Sequence, residues 1–232
     1  MSIDFPMHTE MEIPSTLPVM VLQDTVFFPQ SILPLYIFEG RYRQMLRDVL
    51  EGNRLFAVVC DGSAGSGDLE GEALRRVGTV GMVRASHENA DGSSNLVLQG
   101  LCRVRFEGVV SEQPYRQVRL APLRTEAPDD VAVLRQLKSE VATLHAQEPL
   151  LANDVPEEFL EFLQTIDDLD VYLDLTAYSA CPSPEVKQRL LETLDLETRY
   201  RLYLAYLQRR MNRFRFHRQL QGSLSDEDIR LN

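Results

Sequence analysis

A chain of 232 residues with 44% apolar and 25% charged residues has enough apolar material for a packed core without staples, in one large domain or two small ones. A net charge of −11 disfavours phosphate backbones as partners, and no window nears the roughly 18 uninterrupted apolar residues of a membrane span. The acids of MSIDFPMHTEMEIP stand where a secretory signal needs a basic flank and an apolar run, so a cytoplasmic place is expected. Cys60, Cys102 and Cys181 are odd in number, far apart and in no metal-ligand spacing. Small buried thiols are expected, with Cys181, just before Pro182, the more exposed.

In chain order, residues 1–15 read as a loosely held leader and 16–123 as strands with one helix. Thr16–Leu22 and Ser31–Phe38 are extended, and Pro34 places the second at an edge or a bulge because proline cannot donate to a ladder. Arg41–Glu51 reads as a helix, with Tyr42, Met45, Leu46 and Val49 on one face and Gly52 as the stop. Leu55–Cys60 is a buried-strand run, and the glycine- and acid-rich 61–71 is a surface loop. Val77–Ala85 and Leu96–Glu107 form a hairpin around Asp91-Gly92. Val104 and Phe106 alternate with Arg103, Arg105 and Glu107, which predicts that the charged face meets water. Tyr115–Leu123 is the last strand. Together these segments predict a small, partly closed barrel.

RTEAPDD, 124–130, is a polar linker, and everything after it reads as helix. Val131–Gln147 and Val155–Thr165 come first, the latter with Pro156 in its first turn. Leu169–Ala180 follows. Ser183-Pro184-Glu185 starts the next helix, and Asp195 caps the last. In that last helix Leu196, Tyr200, Tyr203, Leu207, Met211 and Phe214 form one stripe, with the arginines mostly on other faces. The helical bundle is set at 131–220 and a polar tail at 221–232. Overall the fold class is α+β, a barrel followed by a bundle.

The search for chemistry returns little. With only Lys138 and Lys187 in the chain, neither preceded by glycine, a phosphate-cradling Gly-Lys-Ser/Thr loop is excluded. Ser139 adjoins Lys138 but faces away from it on a helix, so no Ser-Lys dyad forms. His8, His87, His145 and His217 are scattered and read as surface imidazoles. No cofactor, metal site or catalytic residue is expected. Residues 197–218 hold seven arginines against Glu197, a segment of +6 that leaves −17 elsewhere in the −11 chain. The basic helix either neutralises the acidic body or binds nucleic acid, and RNA binding is the competing class of function.

Six motifs, in this order and spacing, carry a family resemblance: LPVMVLQDTVFFP (17–29), LPLYIFEGRYR (33–43), VGTVG (77–81), LVLQGLCRVR (96–105), LDVYLDLTAYSA (169–180) and PEVKQRLLETLDLETRYRLYLAYL (184–207). They resemble the amino-terminal, substrate-binding domain of the Lon protease family. The variant ending in IFEGRYR is most similar to free-standing members and to the related domain of cereblon. The resemblance implies a PUA-like pseudo-barrel with one helix, then a helical bundle, without the ATPase or peptidase. It also implies a non-enzymatic adaptor or regulator in protein turnover that recognises unfolded or degron-bearing polypeptides. Candidate peptide contacts are Pro29, Leu33, Pro34, Phe38 and Tyr42. The alternative is that Phe38 and Tyr42 pack the barrel on its helix, with Glu39 paired to an arginine. Tyr206, Met211, Phe214 and Phe216 are expected to stay partly exposed at the end of the last helix. There they would meet a protease, another partner or a second copy, or fold back on the barrel.

Overall fold

The structure is a computed structural model that describes residues 12–61, 76–147 and 155–223, the last seven of these by backbone alone. The first eleven residues, the loop beyond Asp61, the tail beyond 223, His8 and the His217 side chain lie outside the described residues. Strands β1 (Thr16–Leu22), β2 (Ile32–Ile37), β3 (Leu55–Cys60), β4 (Val77–Glu88), β5 (Ser94–Ser111) and β6 (Gln117–Pro122) come first, with helix α1 (Gly40–Glu51) between β2 and β3. Among the described residues five further helices follow: α2 (Ala132–Gln147), α3 (Glu157–Gln164), α4 (Leu169–Ala180), α5 (Pro184–Glu192) and α6 (Leu196–Ser223).

The sheet runs β2-β5-β4-β3-β1-β6, and β6 pairs again with β5. Five strands therefore close into a barrel, and β2 is left as a flange. One long strand serves both purposes. The Ser94–Gln99 part of β5 pairs with β2, and its Val104–Ser111 part pairs with β6. A register shift in the β4 pairing, between Cys102 and Gly100, lies between the two parts, and further shifts at Phe106/Gly108 and Val109/Ser111 fall within the β6-paired part. Strands β4 and β5 run past the ends expected from sequence, to Glu88 and Ser111. Their distal residues are mostly exposed on both faces, so pairing continues where the apolar alternation has stopped.

Three apolar clusters hold the molecule. Val19, Ala57, Val59, Val80, Val104 and Leu120 fill the barrel. Tyr42, Met45, Leu46 and Val49 seat α1 on the outer wall, against Leu33, Ile37, Phe56 and Leu98. The third cluster lies within the helices but also takes in Val26, Phe28, Cys60 and Val77 from the strand-rich half. Both faces of β3 are thus covered, which explains its unbroken apolar run. The β1–β2 connection serves two clusters at once, with Phe27 under α1 and Val26 and Phe28 under the bundle. Gly100 lets this connection close on β5, because a Cβ there would lie 2.1 Å from the Phe28 carbonyl oxygen.

Capping follows the sequence at Ser183 and Asp195, whose side chains accept from the Val186 and Thr198 amides at 3.3 and 2.7 Å. Pro156, expected inside the first turn of its helix, is instead the residue before α3. The 124–130 segment is anchored, since Glu126 exchanges backbone hydrogen bonds with Leu194 and Leu196, each at 2.9 Å.

Several burial expectations are overturned. Arg103 does alternate with Val104, but the outer barrel wall at this point lies under the bundle, and Arg103 is only 3% exposed. Arg199 is the arginine of α6 that points inward, at 0% exposure. Cys181 is buried rather than exposed, because α6 and its neighbours close over the α4–α5 junction. His145 is no surface imidazole. It is buried against the Tyr203 hydroxyl, with its Nε2 at 3.2 Å.

Candidate functional site

Among the described residues the flange strand β2 has one paired side and one open side. Its register with β5 sets Ile32 opposite Gln99, Pro34 opposite Val97 and Tyr36 opposite Asn95. The Ile32 carbonyl accepts a hydrogen bond from the Tyr178 hydroxyl of α4 at 3.1 Å, so it points away from β5. By the two-residue alternation of an antiparallel strand, the backbone groups of Pro34 and Tyr36 point the same way. Proline's missing N–H thus falls on the unpaired edge, where it costs no ladder bond.

The side chains alternate with the same period. Leu33 and Ile37 are buried under α1, whereas Ile32, Pro34, Tyr36 and Phe38 are exposed. The exposure is 49% for Ile32, 54% for Tyr36 and 64% for Phe38. The Tyr36 and Phe38 rings stack with centroids 5.9 Å apart. Four consecutive outward positions are therefore apolar on a strand whose backbone edge is open. Such a row is the surface a soluble domain usually keeps covered or charged.

The five residues singled out in the sequence divide on this geometry. Pro34 and Phe38 belong to the stripe. Pro29, Leu33 and Tyr42 are buried and build the support beneath it, a correction to their reading as direct contacts. Tyr42 packs under the sheet, and its hydroxyl accepts from the Val21 amide at 3.2 Å. Glu39 pairs with Arg41 at 2.9 Å, as the packing alternative expects. Ile32 and Tyr36 were missed. Stepping by two from Pro34 and Phe38 reaches both, so the strand period was the available signal.

At the far end of the molecule Met211, expected to be partly exposed, is buried because α2 runs beside α6 and covers it. Tyr206 and Phe214 are half-buried, and Phe216 is 61% exposed. Of the α6 arginines, Arg201 pairs with Glu197 at 2.6 Å and Arg210 lies 5.7 Å from the Phe214 ring centre. Arg209, Arg213 and Arg215 are exposed.

Between barrel and bundle lies a buried charge cluster. Arg103 of β5 meets Asp174 of α4 at 2.5 Å and Asp170 at 3.8 Å. Arg199 of α6 pairs with Asp170 and lies 3.3 Å from Asp174. The remaining guanidinium donors reach the Leu191, Thr193 and Leu194 carbonyls and the Thr125 hydroxyl. Burial pushes the Asp174 carboxyl up to about 6, against the opposing pull of Arg103. With Arg103, Arg199 and Asp174 buried and paired across β5, α4 and α6, this arrangement couples two halves of a fold. Lys138 and Lys187 are likewise structural, lying 4.6 Å from the Tyr172 ring centre and 5.3 Å from that of Tyr178. Among the described residues no His, Cys, Asp or Glu group is arranged to hold a metal ion, and no helix is long and apolar enough to cross a membrane.

A strand-closed barrel with an open apolar flange, docked on a helical bundle, defines an α+β barrel-and-bundle domain. The chain belongs to the ATP-dependent protease La (LON) substrate-binding domain family, whose profile matches residues 16–209. It is 30% identical over 193 residues to the Lon protease of Syntrophus aciditrophicus, covering 82% of this chain and 24% of that protein. The Lon protease of Desulfosudis oleivorans is 26% identical over 222 residues, covering 93% of this chain and 26% of that protein. The chain thus spans about a quarter of the length of these relatives. The fold is shared with the N-terminal domain of a Mycobacterium avium complex Lon protease, at a TM-score of 0.64 and 17% identity over 83% of this chain and 98% of that one. A Lon N-terminal domain protein from Xanthomonas campestris aligns with a TM-score of 0.54 and 20% identity, over 83% and 99% of the two chains.

Proposed function

We propose that this protein is a polypeptide-recognition module that takes extended, apolar segments of unfolded or degron-bearing chains along the β2 edge. It does so as a cytoplasmic, non-catalytic adaptor or regulator in protein turnover. The observation that carries the reading is the exposed row Ile32, Pro34, Tyr36 and Phe38 on an open strand edge. A bound segment lying beside β2 would pair some backbone groups and cover the stacked rings, the mode of recognition known as strand addition. Family membership supports the ligand class. Association with a protease or a second copy through the end of α6 is part of the same proposal and rests on Phe216, Tyr206 and Phe214.

The test is a titration with a fluorescent, extended apolar peptide. Covering a Phe or Tyr side chain stabilises by about 1.5–3 kcal/mol. The Tyr36→Ser/Phe38→Ser variant is therefore expected to bind at least about tenfold more weakly, with an unchanged thermal midpoint. Unchanged affinity overturns the proposed surface. Salt-dependent binding of single-stranded RNA, abolished by Arg209→Glu/Arg213→Glu, would favour the RNA reading instead.

A further inference from the structure

The α1 face of the sheet carries a second polar surface. Ile37 of β2 pairs in register with Ser94 of β5, and Ser94 with Glu88 of β4. Ile37 is buried under α1, so the register turns Ser94, Glu88 and, two residues back, Ser86 toward that helix. Between helix and strands lies a cleft of about 290 Å³. Its α1 wall is Arg43, Leu46, Arg47 and Leu50, one helical stripe. Arg54, just past the helix, also lines it. That residue is held by a left-handed φ of 63° and by its Nε donating to the Val83 carbonyl at 2.9 Å.

The two walls are chemically unlike. Three arginines come from α1 and its end, whereas Glu88, Ser86 and Ser94 come from the strands, a local +2 in a chain of −11. Among the described residues none of the three arginines pairs with a carboxylate within ion-pair distance. One Arg47 donor goes to the Gln44 amide oxygen at 2.9 Å. Asp91, at the hairpin tip, is turned to its own loop, accepting from the Ser93 amide and hydroxyl at 2.9 and 2.6 Å. Gly92 gives Arg43 room to lie across the tip, since a Cβ there would stand 1.9 Å from its Nη2. On the opposite wall Ser94 is only 7% exposed, and among the described residues its hydroxyl has no hydrogen-bond partner. A buried hydroxyl is ordinarily satisfied, so this one points to a ligand in the cleft.

We infer that the cleft binds a small phosphate monoester that also carries hydroxyl groups, with its phosphate on the arginines and its hydroxyls on Ser94 and Glu88. A phosphate monoester holds close to two negative charges at neutral pH, and guanidinium forks match its oxygens. The Glu88 carboxylate only accepts hydrogen bonds and repels a second anion, so the other end of the ligand is a donor such as a sugar hydroxyl. The cleft lies just below the roughly 300–1,000 Å³ of pockets for drug-sized ligands, which suits a pentose phosphate. The exposed row of β2 points to the other face of the sheet, so this site stands apart from polypeptide recognition and does not depend on it.

The test is calorimetric titration of the whole chain with ribose 5-phosphate at low salt, beside inorganic phosphate, ribose and citrate. Ribose 5-phosphate is expected to bind at least about tenfold tighter than any of the other three. Arg43→Gln/Arg47→Gln is expected to weaken it at least about tenfold, with the thermal midpoint of the unliganded protein unchanged. Should the pair lower that midpoint, Arg47→Gln alone, on the exposed side of α1, is read for the same loss. Ser94→Ala is expected to reduce the advantage of ribose 5-phosphate over inorganic phosphate while leaving inorganic phosphate binding as it was, a split that a purely structural serine would not produce. Equal binding of inorganic phosphate or citrate makes the cleft a bare anion site and overturns the inference. Absence of binding overturns it as well. Binding that survives the arginine changes, or an advantage unchanged in Ser94→Ala, overturns the placement of the ligand.

Discussion

The buried cluster of Arg103, Arg199, Asp170 and Asp174 is the sharpest place to test how the barrel and bundle are joined. Asp174→Leu removes a carboxylate that is 2% exposed and strands the guanidinium of Arg103, itself 3% exposed, beside a partner only at 3.8 Å. Loss of one member of a buried pair costs about 3–5 kcal/mol, because the surviving charge keeps its desolvation penalty. Arg103→Met has the mirror effect on Asp174, although Arg199 at 3.3 Å still partners it, so its cost belongs near the lower figure. The double variant Arg103→Met/Asp174→Leu removes both charges and fills the space with apolar groups. It should cost far less than the two single changes added together, with a coupling energy of roughly 2–3 kcal/mol. Urea unfolding at pH 7 measures this, provided the denaturant slope is unchanged among the four proteins. Each single variant should also lower the thermal midpoint by about 10 °C for a domain of this size. Additive costs in the double variant would refute the reasoning, since they would mean that the two charges do not offset one another.

Two further predictions concern α6 and the α2 residue His145 packed against it. Burial, reinforced by the nearby positive charge of Arg210, holds the His145 imidazole down at about 4. A depressed value means the folded state resists protonation. The contribution is therefore present above about pH 6.5 and lost as pH falls toward 4, by about 3 kcal/mol in all. Asp174, pushed up, has the opposite sign over much of this window, so the difference between wild type and His145→Asn isolates the histidine. Parallel stability curves for the two proteins from pH 7 to 4 would defeat this account. Met211→Ala should cost about 2–3 kcal/mol as a buried truncation, whereas Phe216→Ala should change stability by less than about 0.5 kcal/mol. Thermal denaturation of both variants decides, and an equal loss at Phe216 would contradict its exposure.

Much of the fold is legible in local chemistry. The helix α1, with Tyr42, Met45, Leu46 and Val49 inward, follows from spacing alone, and Gly52 stops it as expected. The six-residue apolar run of β3 reads correctly as a strand covered on both faces. Burial of charge was not legible. Arg103 obeys the strand alternation perfectly, but alternation separates inside from outside the barrel and is silent about what covers the outside. Arg199 sits one position before Tyr200 on a helix that looks uniformly basic, and only the placement of α4 turns it inward. His145 fails for the same reason, since its partner Tyr203 is 58 residues away. Around the candidate edge the residues read from sequence divide between an exposed set, Pro34 and Phe38, and a buried set, Pro29, Leu33 and Tyr42. Apolar character near Pro29–Pro34 and at the Phe38–Tyr42 junction points to all five alike; the two-residue period separates Leu33 from Pro34, whereas the burial of Pro29 and Tyr42 follows from the β1–β2 connection and from α1.

The hydrogen bond from the Tyr178 hydroxyl to the Ile32 carbonyl has a kinetic meaning for anything that docks on β2. It occupies the first acceptor of the open edge, and Pro34 supplies no donor at the second outward position. A visiting strand finds an amide donor only at Ile32 and Tyr36, and free acceptors only at Pro34 and Tyr36. So sparse a ladder cannot hold a partner by its main chain. Retention then depends on side chains, residence is brief, and release needs no unzipping. The same shortage disfavours main-chain pairing between the β2 edges of two copies. On the proposed function, the flange would then sample many chains in succession without being captured by any one of them.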